Sequence, residues 1–580
     1  MTVDPGQLDS WRPLSAVSIG FVSIVAALAF TGRRTGERSW LRWVPRGLER
    51  ATGIPGWAAG MVGTASFALL VAGIGFYNDV AWHVGVGRDE ELFTPPHTMI
   101  VLGLALLVAA GLIGILFATL DRRPEGFRWG RLHVPRSAAS MTLIGGMAML
   151  GFPADELWHH QFGIDVTMWS PTHLLMIVGA SITPIASWLA LAEAGVKPRD
   201  SWRTRAVYML VSLMLLDGLS SVQGEFDFGV PQFQALYAPV LVAFAGALAL
   251  VAIRLAHGPG WSLLVAVLFA LTRTNLGGDT GAIDLDVRSS ALYLGSAACV
   301  EIVAWFLGTR RPVRLALGAG AAIGTAGLAT EWWWNQGAHQ PWSSALLPDA
   351  IVLGVAVAAG AALLGVVLGA AARGERTPMS GRTLAVAGLV VVVALAWPLP
   401  RRSGDVTVQV TLDRATPGEA YVEAELTPAD AAADALWFQA SAWQGGGLVA
   451  VDMESVGVGA WRSEGPVPIA APWKTLLRLH RGAEMMAVPI FLPADAEIEG
   501  PRGEEFPAVD KTAAFEPERR YLLREQTDGG STVFGWGIPG LVALLGAIAV
   551  GSFGWIVRGL RAGPPTGTAV TMPKEPVPVG

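Results

Sequence analysis

The chain has one cysteine, Cys299, set inside an apolar run. That excludes both a disulfide framework and a metal site built from cysteines. Charge is scarce too, with Asp, Glu, Lys and Arg making up 15% of 580 residues against 52% hydrophobic. No basic stripe interleaved with aromatics is present, so nucleic-acid binding has no support. There is no flavin, haem or iron–sulfur motif. The net charge of −6 decides nothing, because a membrane protein sorts its charge by side.

What is abundant is apolar sequence. Runs of roughly 18 to 24 residues recur, long enough to cross a bilayer. The expected fold is a polytopic α-helical membrane protein of about thirteen transmembrane helices in repeated hairpins, followed by a C-terminal extracytoplasmic β-sandwich. The expected spans lie near 14–31, 57–77, 97–119, 139–159, 173–193, 206–224, 234–255, 261–277, 289–307, 314–334, 347–371, 383–399 and 533–556. The first run is followed, not preceded, by its arginines (Arg33, Arg34, Arg38), so it reads as an uncleaved helix and not a secretory signal. Segments 32–56, 120–138, 195–205, 308–314 and 372–382 are rich in Arg or Lys and all fall on one side in this count. Lys and Arg collect on the cytoplasmic side. The expected placement is therefore a bacterial inner membrane, N-terminus outside and C-terminus cytoplasmic. Arg558 and Arg561 follow the last helix, and the Pro- and Gly-rich tail 563–580 reads as disordered.

One pattern occurs twice. Asp79-Val80-Ala81-Trp82-His83, Gly87-Arg88-Asp89 and Phe93-Thr94-Pro95-Pro96-His97 form the first copy. Asp155-Glu156-Leu157-Trp158-His159, Gly163-Ile164-Asp165 and Trp169-Ser170-Pro171-Thr172-His173 form the second, every matched residue displaced by 76. Five of the nine histidines lie in these windows. Asp and His four apart share one helix face, and the second His opens the next apolar segment. A helix, a short loop and a returning helix can thus bring Asp79, His83 and His97 to one point, and Asp155, His159 and His173 to another. Imidazole nitrogen with carboxylate oxygen suits copper, zinc, iron or nickel, and three protein ligands leave a position open. Trp82 and Trp158 are candidates to shield the sites, and Asp89 and Asp165 to support a ligating His or cap a helix. His160, present in one copy only, reads as a loop residue, and Arg88 as a surface partner of Asp89 or Glu90. The bland alternative for both copies is a buried polar cluster that locks a hairpin, but intramembrane ionisable groups point to function by default.

Three further outer turns carry polar residues: Asp217, Glu225 and Asp227; Arg273, Asn275, Asp279, Asp284 and Asp286; Glu331, Asn335 and His339. None restores two histidines with a carboxylate at the motif spacing. Helix capping or contact with water is the expectation for them, with a polar vestibule, an ion path or degenerate metal sites as the alternatives, Glu331, Asn335 and His339 offering the best of these.

The domains expected are 1–56 (first helix and basic loop), 57–195 (duplicated hairpins), 196–402 (further hairpins), 403–530 (outer β-domain) and 531–580 (final helix and tail). In the β-domain, Val406–Leu412 and Ala420–Leu426 alternate as strands, and Leu476–Leu479 and Val488–Phe491 read as later ones. His480, Met485 and Met486 offer a soft metal site, but with a single His the packing of a strand pair is the better reading.

At Trp82-His83, Arg88-Asp89 and Phe93-Thr94-Pro95-Pro96-His97 the sequence resembles a metal-binding transmembrane component of the membrane-bound copper monooxygenases, which oxidise methane, ammonia or short hydrocarbons. That component has an Asp-x3-His…His copper site with an Arg-Asp pair and a Thr-Pro-x-His ending, and a second site with Asn in place of Asp. The resemblance covers about residues 60–190. It implies copper at Asp79, His83 and His97 and at Asp155, His159 and His173, although position 155 is Asp where the family has Asn. Met453-Glu454-Ser455-Val456-Gly457, Gly459, Trp461 and Pro472-Trp473 resemble, more weakly, small β-domains of the FixH/YtkA type, which accompany copper-handling membrane proteins.

Three functions fit these readings. The first is a copper-dependent monooxygenase or diverged relative, which implies a quinol reductant and additional monooxygenase-like subunits. The second is copper uptake, storage or delivery with copper donor proteins, although the motif loops lack the Met and Cys that favour Cu(I). The third is a solute transporter built from repeated hairpins. Copper rather than zinc rests on the resemblance.

Overall fold

The computed structural model describes residues 40–87, 94–163, 167–228, 231–276, 288–398, 405–496, 498, 503–522 and 531–562. The expected first span at 14–31, Arg88, Asp89, Asp165, Asp279, Asp284, Asp286 and the tail 563–580 lie outside the described residues.

A short amphipathic helix, α1 (Trp43–Thr52), leads into two long hairpins. The first pairs α2 (Gly56–Gly85) with α3 (Pro95–Leu120). A small ribbon, β1 (Phe127–Trp129) and β2 (Leu132–Val134), turns the chain into the second, α4 (Arg136–Phe162) with α5 (Pro171–Ser181) and α6 (Thr183–Glu193). Then follow α7 (Trp202–Ser221), the single turn α8 (Gly224–Asp227), α9 (Tyr237–His257), α10 (Trp261–Leu276) and α11 (Leu294–Leu307). Next come α12 (Pro312–Ala322) and α13 (Leu328–Asn335), joined by a π-helical turn, then α14 (Leu347–Arg373) and α15 (Gly381–Ala396).

Among the described residues, eight helices are long and apolar enough to cross a membrane: Gly56–Gly85, Pro95–Leu120, Arg136–Phe162, Pro171–Glu193, Tyr237–His257, Pro312–Asn335, Ser344–Arg373 and Thr532–Leu560. Four other expected spans are helices that fall short of this. Trp202–Ser221 is interrupted by Arg203, Arg205 and Asp217, while Trp261–Arg273, Leu294–Leu307 and Gly381–Ala396 are shorter. Helical backbone satisfies its own polar groups, which is the condition for life in lipid. Arg203 donates to Arg50 O (3.0 Å), Arg123 pairs with Glu49 (2.5 Å), Arg199 donates to His257 O (2.9 Å) and Arg373 to Leu255 O (2.7 Å). These contacts gather residues of four Arg-rich segments at helix ends remote from the motifs.

Small residues set the spacing of the motif hairpins. A Cβ on Gly75 would lie 2.9 Å from Pro96 O, and one on Gly151 would lie 3.2 Å from Thr172 O. Each Gly stands four residues before the motif Asp, so the returning helix can cross against bare backbone there.

After α15 the chain forms an antiparallel sheet nearly closed as a barrel. Its strands are β3 (Thr407–Thr416), β4 (Glu419–Thr427), β5 (Ala435–Trp443), β6 (Leu448–Gly457), β7 (Ala460–Ser463), β8 (Val467–Pro468), β9 (Lys474–Arg481), β10 (Glu484–Phe491), β11 (Lys511–Ala514) and β12 (Glu516–Pro517). The order is β11-β3-β4-β7-β6-β5-β9-β10-β12, with β8 beside β4. β6 turns the corner, since Leu448–Asp452 pair with β5 and Met453–Gly457 with β7. The two outermost strands, β11 and β12, are separated in sequence by Phe515 alone, which brings the edges back together. The four expected strand segments fall in β3, β4, β9 and β10. Val408 and Val410 are buried between exposed neighbours, and Val422, Ala424, Leu477, Leu479, Met486 and Val488 complete the interior. A single turn, α16 (Arg519–Leu522), precedes the last helix, α17 (Thr532–Ala562), which lies along α4 with Ser552 and Ser140 hydrogen-bonded (2.6 Å).

The β-domain sits on the motif end of the bundle. The β5–β6 turn donates Gln444 N to Val84 O (3.1 Å) and Gly446 N to Gly85 O (2.9 Å). From β9, Arg478 donates to Pro231 O (2.8 Å) and His480 Nε2 accepts from Ala235 N (3.1 Å).

Candidate metal centres

The spacing of the second half of each motif is that of a helix cap. Thr94 and Ser170 are N-cap residues with extended backbone, and Pro95 and Pro171 occupy the first helical position. Proline is preorganised there and has no N–H to lose. The cap hydroxyl accepts from the residue three further on, His97 N (3.5 Å) or His173 N (3.2 Å). The cap thus places each second histidine in the first turn, facing back over the loop. The first histidine and the Asp lie one turn apart near the C-terminal ends of α2 and α4.

The two halves meet as triangles. His97 Nε2 lies 3.0 Å from Asp79 Oδ1, and His83 Nε2 lies 3.7 Å from the same oxygen. In the second copy His173 Nε2 and His159 Nε2 lie 3.3 and 3.6 Å from Asp155 Oδ2. Within each group the ligand atoms all lie within 4.8 Å of one another, so each could hold a metal ion. The two triangles are neighbours, with the His97 ring 6.4 Å from that of Phe152 and His173 within electrostatic reach of Asp79.

The tautomers sharpen the point. Carbonyl oxygens only accept, so His83 Nδ1–H donates to Gly87 O (3.0 Å) and His173 Nδ1–H donates to Thr167 O (2.7 Å). In the neutral ring that leaves Nε2 as a lone pair facing a carboxylate oxygen. Two acceptors at this separation are bridged either by a proton on Nε2, as an imidazolium–carboxylate pair, or by a metal ion. The same carbonyl contacts hold the ring at the angle a metal ligand requires.

Compared with known proteins, the chain matches no family model, no curated protein and no solved structure. The centres therefore stand on their own geometry.

The supporting residues differ from the expected ones. Trp82 is 43% exposed and does not enclose the first centre. Trp158 packs on Phe162, ring centres 4.4 Å apart. His160 is helical, because α4 continues to Phe162; it is exposed, 3.1 Å from Glu156. The residues that do brace the centres are others. Thr172 Oγ1 donates to Asp155 Oδ1, leaving Oδ2 to the histidines. Glu225 accepts from Met168 N (3.2 Å), Thr167 Oγ1 (3.4 Å) and Gln232 N (2.7 Å), and so fixes the loop that holds His173. Tyr77 donates to Asp227 (2.9 Å), which also pairs with Arg273 (3.0 Å), tying α2 to the later hairpins.

The last polar turn is structural. Glu331 accepts from Leu292 N (3.0 Å) and Tyr293 N (2.7 Å), while Asn335 binds Arg288 O (3.1 Å) and Trp342 N (2.6 Å). In the β-domain His480 is buried, with Nδ1 on Glu484 O (2.9 Å) and Nε2 occupied by Ala235. Both ring nitrogens are used, so the His480, Met485 and Met486 group is strand packing. The upstream glycines were the sequence signal overlooked: Gly75-Phe76 and Gly151-Phe152 extend the repeat at the same displacement of 76.

Proposed function

We propose that the chain is an integral membrane copper protein with two Asp/His/His centres. The observation that carries this reading is the duplicated triangle of two imidazole nitrogens and one carboxylate oxygen. Asp79, His83 and His97 hold one ion, and Asp155, His159 and His173 the other. The donor set suits a divalent ion of the copper–zinc range. Copper is favoured over zinc by the likeness of the motifs to those of the membrane-bound copper monooxygenases. Bound copper supplies redox chemistry toward dioxygen, and the reading includes oxidation of a small or apolar substrate with a quinol as reductant and further subunits. In this reading about thirteen spans place both centres and the β-domain, a sandwich-like outer module, on the outer face of a bacterial inner membrane. Docking of the β-domain beside the first centre supports their sharing a side.

A second reading, copper uptake, storage or delivery without oxidation, is favoured by the likeness of the β-domain to small domains of the FixH/YtkA type. Metal content tests the shared core of both. The chain in lipid nanodiscs should hold close to two coppers, falling by about one in His83→Ala and by about one in His159→Ala. No bound metal after copper loading under oxidising and reducing conditions would overturn the proposal. Dioxygen consumption with a quinol would then separate oxidation from storage.

A further inference from the structure

One turn below the two centres, toward the middle of the bundle, lies a cavity of about 80 Å³. Its walls come from α2, α3, α5 and α7, including Phe76, Ile100 and Ile177. These stand three residues before Asp79, three after His97 and four after His173. The lining is almost wholly apolar, and no Lys or Arg contributes to it. Yet Asp217 faces it. The Asp217 backbone carbonyl accepts from Ser221, but no hydrogen bond or ion pair reaches its carboxylate among the described residues.

A second feature of the same sign adjoins it. The helix Pro171–Glu193 is broken at Ile182, where Pro184 has no N–H for the carbonyl of Ala180. Thr183 Oγ1 donates to Ala180 O instead (2.7 Å). Ile185 N–H donates to Ile182 O (3.1 Å), one residue short of the Ser181 carbonyl that a continuous helix would use. The Ser181 carbonyl therefore lacks its helical donor beside the cavity. Ser181 lines the cavity, and its hydroxyl makes no hydrogen bond among the described residues. α7 crosses closely there, since a Cβ on Gly218 would lie 2.5 Å from Ser181 O.

A carboxylate in an apolar cavity is costly unless a proton or a cation neutralises it, and only a bound cation leaves it charged. An anion adds to the cost, and a neutral apolar guest leaves it unrelieved. A small cation with an apolar body answers both the carboxylate and the lining, and discontinuous helices supply cation sites of this kind in membrane proteins. We infer that this cavity binds a small alkylammonium ion, with its N–H groups on the Asp217 carboxylate and the Ser181 hydroxyl and its carbons against Phe76 and Leu104. The volume holds roughly five water-sized groups, enough for methyl- to propylammonium. The inference stands on the cavity, the helix break and Asp217, and does not depend on metal at the centres above.

The test uses the full chain in nanodiscs. Binding of ethylammonium chloride is followed by calorimetry and by the thermal midpoint, beside sodium chloride at equal ionic strength and ethanol as the neutral analogue. Saturable binding of ethylammonium is expected, with little response to sodium or ethanol. Asp217→Asn should weaken ethylammonium at least tenfold. Gly73→Leu, which fills the cavity from a position with open space around its Cβ, should do the same and keep the carboxylate. Bound metal should stay unchanged in both variants. Equal or tighter binding of sodium or ethanol would overturn the inference, as would undiminished ethylammonium binding in a folded Asp217→Asn chain. The wild-type comparison decides by itself if either variant fails to fold.

Discussion

Glu225→Gln separates the two centres without touching a ligand. The Glu225 carboxylate accepts from Met168 N and Thr167 Oγ1 with one oxygen and from Gln232 N with the other. A Gln amide has one oxygen. If it keeps Gln232, its NH₂ faces the Met168 N–H, and a buried donor is left without an acceptor. That costs about 1–3 kcal/mol. The cost falls on the loop whose Thr167 carbonyl orients His173. At about 1.4 kcal/mol per factor of ten, full transmission weakens metal at the second centre by roughly 5- to 150-fold. The range agrees with the effect of removing other outer partners of metal ligands. The first centre draws its support from Gly87 O and should hold its metal as before. Copper titrations in His83→Ala and His159→Ala backgrounds read the centres one at a time. Equal weakening of both would show that Glu225 supports only the global fold. An unchanged second centre would refute the claim that the Thr167 carbonyl sets the His173 ring.

Thr172→Val removes the hydroxyl that holds Asp155 Oδ1, and should weaken the second centre roughly tenfold with the first unaffected, as read by the same titrations. Acid should loosen the β-domain through His480, whose pKa burial pushes down to about 4 from the usual 6.5. A lowered His favours the folded state above its unfolded value, and that stability is lost as pH falls from 6.5 toward 4. The loss reaches about 2.5 kcal/mol by pH 4.5. Thermal unfolding of His480→Gln should show a shallower pH dependence in this window, and an identical slope would count against the assignment.

The two Asp/His/His triangles were legible in the sequence because each motif encodes its geometry locally. Four residues make a helix turn, and Ser or Thr followed by Pro makes a cap, so Asp79, His83 and His97 could be placed together without knowing the fold. The braces were not legible, because they depend on contacts across the bundle. Glu225 lies 57 residues from Met168, and nothing in its own neighbourhood marks it as the anchor of that loop. The same holds for Tyr77 and Asp227, 150 residues apart. The strands of the β-domain followed from alternation, but closure did not, since it depends on β6 pairing with β5 in one half and with β7 in the other. Span lengths were overestimated at 289–307, where hydropathy continues while helix begins only at Leu294, after Tyr293 adopts φ 61°.

The two centres share a triangle but not a frame, and the difference shows what the fused domain does. The last carbonyls of a helix have no partner within it. On α2 they are met from the β-domain: Gln444 N reaches Val84 O, Gly446 N reaches Gly85 O, and Gln444 Nε2 donates to His83 O (3.1 Å). The backbone of His83 is thus held by a residue 361 positions away. On α4 the corresponding turn closes locally, with Gly163 N on His159 O (2.8 Å), and the bracing comes from Thr172 and Glu225 within the helical part. Pro96 stands where the second copy has Thr172, so Asp79 has no matching hydroxyl. The first centre is therefore the one whose order depends on the β-domain, and the second carries its own support. A folded helical region with a displaced β-domain would lose the hold on His83 first, which makes the β-domain part of the first centre and not a module appended beside it.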